Sequence, residues 1–179
     1  MLLCSCGDVG YTDEEIISTA RTLVEASYEI NELYFGEGLP TTGETSVSST
    51  FYSPVTEESP YHSVSEIKAA TEKVYTADYC EILFKIGFEG SSLESDDEKV
   101  TYARFIDDFN GELTARKDLK ETSLLAGRTY DFSTATVEKA EKNSARIKIV
   151  SLVNGVEDVS VTLTLKLENG SWRLDTPTY

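Results

Sequence analysis

The sequence predicts an α+β protein in which N-terminal helices cover one face of a mostly antiparallel sheet of about six strands. Three observations lead there. Apolar residues recur at helical spacing up to about residue 88, and from about residue 99 they alternate with polar ones. Three Asn-Gly dipeptides, Asn110-Gly111, Asn154-Gly155 and Asn169-Gly170, punctuate the alternating part, and Asn-Gly is the strongest short hairpin signal. Helices followed by hairpins make a two-layer α+β arrangement. A length of 179 residues suits a single core, so residues 1–12 read as a tether and 13–179 as one domain.

The first helix begins at a capping box, Thr12-Asp13-Glu14-Glu15, whose acids also sit on the positive end of the dipole. Ile16, Ala20, Leu23, Val24, Ile30 and Leu33 carry it to about Phe35, where Gly36, Gly38 and Pro40 end it. Residues 40–60 are rich in Thr, Ser, Gly and Pro and read as a long excursion loop with one apolar patch, Phe51-Tyr52. Ser63 and Glu66 form a second capping box, opening a helix through Ile67, Ala70 and Val74. Thr76 caps a third, short and apolar helix expected to end at Gly87, and residues 89–99 form an acidic turn.

The alternating part opens with a strand over Val100–Ile106 and turns at Asn110-Gly111 into a second over residues 112–118. A strand from Tyr130 to about Lys142 follows, with Asn143-Ser144 as its turn. The next two, 145–153 and 158–167, meet at Asn154-Gly155. In the latter, Val159, Val161, Leu163, Leu165 and Leu167 face one way and Ser160, Thr162, Thr164 and Lys166 the other, a sheet covered on one side. Asn169-Gly170 leads into the last strand, where Trp172 and Leu174 return to the apolar face.

Charge is unevenly spread. The net charge is −16, and residues 1–98 hold 20 acidic against 4 basic side chains, whereas 99–179 hold 12 of each. A field this negative argues against nucleic acid, whose phosphates need a basic surface, and favours a basic protein partner. It argues equally against adhesion to anionic lipid, so any membrane attachment would be covalent. The start of the chain offers such an attachment. Leu3-Cys4-Ser5-Cys6-Gly7 resembles the bacterial lipobox, after an apolar Met1-Leu2-Leu3, which implies lipid on Cys6 and an extracytoplasmic place at the cell membrane. A Cys4–Cys6 disulfide would be a strained small ring, and the pair lacks the partners for zinc.

Catalytic constellations are sparse, and no enzyme, cofactor or metal is expected. His62 is the only histidine, and Cys80, on an apolar helix where a thiolate is disfavoured, reads as a small core residue rather than its partner. No GxSxG, P-loop, HExxH or GxGxxG occurs. Adjacent acids such as Asp107-Asp108, Glu57-Glu58 and Asp96-Asp97 read as solvated turns, because strand neighbours point to opposite faces. The run Glu94–Glu98 lacks the alternation and glycine of an EF-hand.

The layout over residues 12–179, a long helix, two short ones and a meander ending in a Trp strand, is similar to the NTF2-like (cystatin-like) superfamily. That likeness implies a curved sheet forming a cone. It would let Tyr102, Tyr130 and Trp172 line a pocket with Asp107 at its mouth, holding a small molecule or a catalytic site. A narrower set of stretches, "ELYFGEG", "YHSVSEIKAATEKVYT", "FNGELTARKD" and "NGSWRLDTPTY", is similar to the IseA-type inhibitors of bacterial cell-wall DL-endopeptidases. That resemblance implies a non-enzymatic domain binding a protein or cell-envelope ligand, with Phe51 and Tyr52 as aromatic anchors inside an acidic rim.

Overall fold

The computed structural model describes residues 10–46, 51–95, 98–116, 118–119, 125 and 127–179, with the backbone alone described over 91–102. The lipobox and Cys6 lie outside the described residues, as do Asp96 and Asp97. In chain order the elements are α1 (Asp13–Phe35), β1 (Ser53–Pro54), α2 (Val64–Val74), α3 (Ala77–Phe84) running into a π-helical turn (Lys85–Glu89), β2 (Ser91–Ser95), β3 (Glu98–Tyr102), β4 (Phe105–Asp107), β5 (Leu113–Ala115), β6 (Arg128–Glu141), β7 (Ser144–Val153), β8 (Val156–Glu168) and β9 (Ser171–Leu174). They fall into two compact units. A hairpin unit comprises Met1–Tyr28 with Ala126–Tyr179, and a cleft unit comprises Glu29–Leu125, so α1 contributes to both.

The α+β class holds, but the single six-stranded sheet does not. The described strands form antiparallel sheets ordered β6-β7-β8-β9 and β1-β5-β4, plus the hairpin β2-β3. The reason is strand valence. A strand has two edges, and those of β5 are taken by β4 on one side and β1 on the other, so the meander cannot pass from β5 to β6. Residues 40–60 accordingly are not all loop: Thr41 bridges Val55, and the amides of Thr42 and Ser46 donate to Pro54 and Tyr52. A two-residue edge strand containing a proline carries no alternation to read. The strand expected over 100–106 also divides, because Arg104 turns away between β3 and β4 and its amide bonds the carbonyl of Gly87.

In the hairpin unit, α1 starts as the capping box requires. The Glu15 amide donates to Thr12 Oγ1 at 3.2 Å, and Glu15 Oε2 accepts from the Thr12 amide at 2.8 Å. Asn154-Gly155 and Asn169-Gly170 both adopt positive φ at each residue (52° and 78°, 50° and 77°), the conformation a two-residue turn needs to match strand twist. Ala145, Ile147, Ile149 and Ser151 of β7 alternate inward beside Leu163 and Leu165 of β8 and Leu174 of β9. They share the core with Ile16, Ala20, Leu23 and Val24 of α1. Two contacts fix the helix on that face: Arg21 Cζ sits 5.1 Å from the Phe132 ring centre, and the Ser27 and Thr178 hydroxyls are 2.6 Å apart. The face expected to be a concave cavity is filled by its own side chains.

In the cleft unit, Ser63 and Thr76 cap α2 and α3 by accepting from the Glu66 and Tyr79 amides. The third helix does not stop at Gly87. It widens into the π-helical turn, and an added Cβ at Gly87 would lie 2.6 Å from the Tyr34 ring, so glycine serves that close approach rather than a helix end. Tyr34, Phe84, Phe88 and Phe105 form one aromatic cluster with centroid separations of 5.6–6.4 Å, and the Lys68 ammonium lies 5.1 Å over Phe88. Cys80 is buried within α3, its thiol 3.6 Å from the Tyr75 carbonyl.

Candidate functional site

A concavity in the cleft unit follows from the pairing of β1 with β5. That register brings Pro54 and Val55 beside the Gly111–Leu113 limb of the β4–β5 hairpin. The antiparallel ladder adds Thr42 and Glu44 from the preceding segment, and the approach to α2 adds Glu57 and His62. Together these nine residues line an open cleft of about 480 Å³. Its polar side chains are three carboxylates, one imidazole and one hydroxyl, with neither lysine nor arginine among them. Pro54, Val55 and Leu113 supply apolar wall.

The turn of this hairpin is held by a further carboxylate. Asp108 Oδ1 accepts the amides of Asn110 at 2.8 Å and Glu112 at 3.0 Å, which together with the positive φ of Gly111 sets the turn. The Asp108 side chain is only 9% exposed, and its Oδ2 is buried without a hydrogen-bond partner among the described residues. Nearby, Asp107 Oδ1 accepts the Val64 amide at 2.9 Å, so this acid caps the N-terminus of α2. His62 is fixed through its backbone, whose amide donates to Glu66 Oε2 at 2.6 Å.

The residues singled out from sequence are placed as follows. Phe51 and Tyr52 converge on one guanidinium: Arg116 Cζ is 5.1 Å from the Phe51 ring centre and 5.7 Å from that of Tyr52. Phe51 is 65% exposed, whereas Tyr52 is buried and donates its hydroxyl to the Ala103 carbonyl at 2.6 Å. Arg116, 5% exposed, forks onto Asp118 through Nε and a terminal nitrogen. That hydrogen-bonded pairing with Arg116 holds the Asp118 carboxyl below its usual range, and burial pushes the Tyr52 hydroxyl up. Tyr102 lies in β3 of the same unit, where only the backbone is described. Tyr130 and Trp172 belong to the hairpin unit, on β6 and β9, and Trp172 packs T-shaped with Tyr11 at a centroid separation of 5.4 Å.

Sequence reasoning missed the cleft itself. His62, Glu57 and the Asn110-Gly111 turn each stood out, but as a failed triad member, a solvated acid and a turn. What joins them is the β1–β5 register, which two residues of strand cannot announce. Cys80 is buried in α3 and His62 is exposed at the cleft, each where its own chemistry puts it.

Among the described residues no three His, Cys, Asp or Glu side chains are grouped to hold a metal ion, and no helix is long and apolar enough to cross a membrane. No protein-family model matches the chain, and no curated protein matches it.

Proposed function

We propose that the chain is a non-enzymatic, extracytoplasmic binding domain, held at the cell membrane by lipid on Cys6, that engages a protein or cell-envelope ligand through the acid-lined cleft. The single observation that carries the reading is the cleft: a concavity with three glutamates, one histidine and an apolar wall, inside a unit holding 20 acidic and 8 basic residues. Field lines concentrate in such a depression and draw in a basic partner. Phe51, exposed beside Arg116, and Phe109, on the hairpin that forms the wall, add apolar surface for contact.

The narrower form of the reading is inhibition of a cell-wall DL-endopeptidase. The test is hydrolysis of peptidoglycan by such an enzyme, purified, with the chain added in increasing amounts. Dose-dependent loss of hydrolysis that Phe51→Ser and Phe109→Ser weaken is the expected result; unchanged hydrolysis at saturating chain removes the inhibitor form. Lipid attachment is read independently by mass spectrometry of the protein made in its host, with Cys6→Ala as control. An unmodified Cys6 removes the membrane location.

A second reading, a small-molecule or catalytic pocket of the NTF2-like type, draws on the cleft volume, which lies in the range of small-ligand sites. The hairpin unit sets one helix with a four-stranded meander whose last strand carries Trp172, a smaller arrangement than the three helices and six strands expected from the sequence. Its helix-facing side is closed by Ile147, Ile149, Leu163 and Leu165, so this reading shifts the ligand from the sheet face to the cleft.

A further inference from the structure

We propose that the cleft receives the ammonium group of a lysine side chain on a partner polypeptide; this rests on the binding reading and specifies its ligand. Charge complementarity selects a cation. Glu44, Glu57 and Glu112, all exposed, line the cleft without a basic residue among the described lining. Asp108, which holds the hairpin turn through the amides of Asn110 and Glu112, keeps one buried oxygen unbonded among the described residues. Exposed carboxylates gathered around a concavity with no basic lining residue set up a negative potential that favours an incoming cation.

The arrangement then selects an ammonium over a guanidinium. The three glutamates come from three separate segments: the strand-like stretch before β1, the loop after it, and the β4–β5 hairpin. An ammonium is a compact point charge with three donors that can turn to separate acceptors, and Thr42 offers a further hydroxyl oxygen. A guanidinium is best served by one carboxylate in the plane of its fork, the arrangement Asp118 already gives Arg116. Pro54, Val55 and Leu113 are suited to the four-carbon stem, because lysine buries its methylenes while its head stays polar. Phe109 is 90% exposed two residues before Gly111, an apolar surface for the ligand's neighbouring side chains. A polypeptide rather than a free amine follows from that apolar rim and from an opening formed by several segments instead of an enclosed chamber.

The experiment titrates the full chain, isotope-labelled, with the blocked pentapeptide acetyl-Ala-Ala-Lys-Ala-Ala-amide, followed by amide resonances. Shifts are expected at Val55, Glu57, His62, Gly111 and Glu112, and the affinity should weaken about tenfold or more between about 0.02 M and about 0.5 M salt. Replacing the lysine by Nε-acetyl-lysine or norleucine should abolish the shifts, and arginine in its place should bind more weakly. Glu57→Gln with Glu112→Gln should weaken the lysyl peptide about tenfold while the rest of the spectrum stays that of the folded chain. Equal binding of the acetylated peptide, equal binding of the arginine peptide, or shifts confined to other residues each overturns the assignment. If the double variant unfolds, the single Glu44→Gln, on the flanking segment, carries the comparison.

The two readings fail separately. Inhibition of the endopeptidase that survives Glu57→Gln with Glu112→Gln would leave the binding domain standing and remove the lysine site. Lysyl peptide seated in the cleft, with no effect on the hydrolase, would do the reverse.

Discussion

The hairpin unit buries Ile147, Ile149, Leu163, Leu165 and Leu174 between a regular meander and one helical stripe, whereas the cleft unit closes over Arg104, Arg116, Asp108 and Thr71 as well as its aromatics. In the first, β7 and the second half of β8 bury alternate residues and two of the three turns are Asn-Gly pairs, the third being Lys142-Asn143, so local rule and global fold largely agree. Charges along its strands pair in place: Lys166 with Asp175 at 2.9 Å, Arg128 with Asp158 at 3.0 Å and Lys139 with Glu141 at 2.5 Å. In the second, stability depends on polar links between residues far apart in sequence: Tyr75 to Asn31 at 2.9 Å, Tyr34 to Thr71 at 3.1 Å, Tyr52 to the Ala103 carbonyl. The first unit is held by repeated local patterns around an apolar core, and the second, with 20 acidic against 8 basic residues, by long-range polar links around irregular strands.

Removing core volume from the hairpin unit should cost most. Leu165 is fully buried at the centre of β8, paired with Ala145 and Leu174 on its two sides. Leu165→Ala should lower the stability of the hairpin unit by ~2–5 kcal/mol through lost transfer energy and the cavity left behind. Hydrogen exchange should report lost protection across β7–β9 while β4, β5 and α2 keep theirs; equal loss in both sets would show the units opening as one.

Next comes the polar tie of the cleft unit. Arg104 is 2% exposed, and its terminal nitrogens donate to the carbonyls of Gly36 and Leu119. Helix α1 has no basic residue in its last turn, so this side chain from the β3–β4 junction supplies the cation its C-terminal carbonyls favour. Burial draws the guanidinium pKa down and Glu37 and Glu32 oppose it, so the charge is kept at a cost. Arg104→Met fills similar space and removes the donors, and it should destabilise the cleft unit by ~1–3 kcal/mol for each carbonyl left buried and unbonded. Chemical denaturation of this variant beside Leu165→Ala would separate the units if their two transitions shift independently.

A smaller change tests the shared helix. Thr12→Ala removes the hydroxyl that accepts the Glu15 amide and should cost about 1 kcal/mol, with fraying confined to the first turn of α1. Loss of protection reaching residues 29–35 would show that α1 transmits disorder from one unit to the other.

Most of the scaffold was legible and little of the cleft. Thr12 with Glu15, Ser63 with Glu66, Thr76 and the three Asn-Gly turns all state their role within four residues, and β6 to β9 are long enough for alternation to show. Arg104 could not be read, because a lone arginine inside an alternating run gives no sign that it will turn inward toward the end of α1. Pro54 and Ser53 argued for loop by composition, yet their two residues complete a sheet whose register forms the cleft. Of the proposed anchors, Phe51 and Tyr52 share Arg116, an arginine 64 residues further on, and Asp107 proves to be a helix cap. Proximity of that kind is settled by tertiary packing, not by periodicity.

The finest comparison is alkaline titration. Tyr61 donates to Glu29 Oε1 at 3.1 Å, and burial first, then that carboxylate, pushes its hydroxyl up to about 12. Burial raises Tyr34 and Tyr52 in the same unit as well, and Tyr28 in the hairpin unit. A tyrosine with a raised folded pKa keeps its proton after the unfolded chain has released its own near pH 10, so the stability it lends is complete below about pH 10 and falls as pH rises toward 12. The cleft unit should therefore lose protection before the hairpin unit across that window. Tyr61→Phe, which removes one titrating group and leaves the ring, should make the decline shallower there and leave stability at pH 7 almost unchanged. Equal slopes for Tyr61→Phe and the parent, followed by tyrosinate absorbance alongside unfolding, would show that the Tyr61–Glu29 contact does not persist in solution.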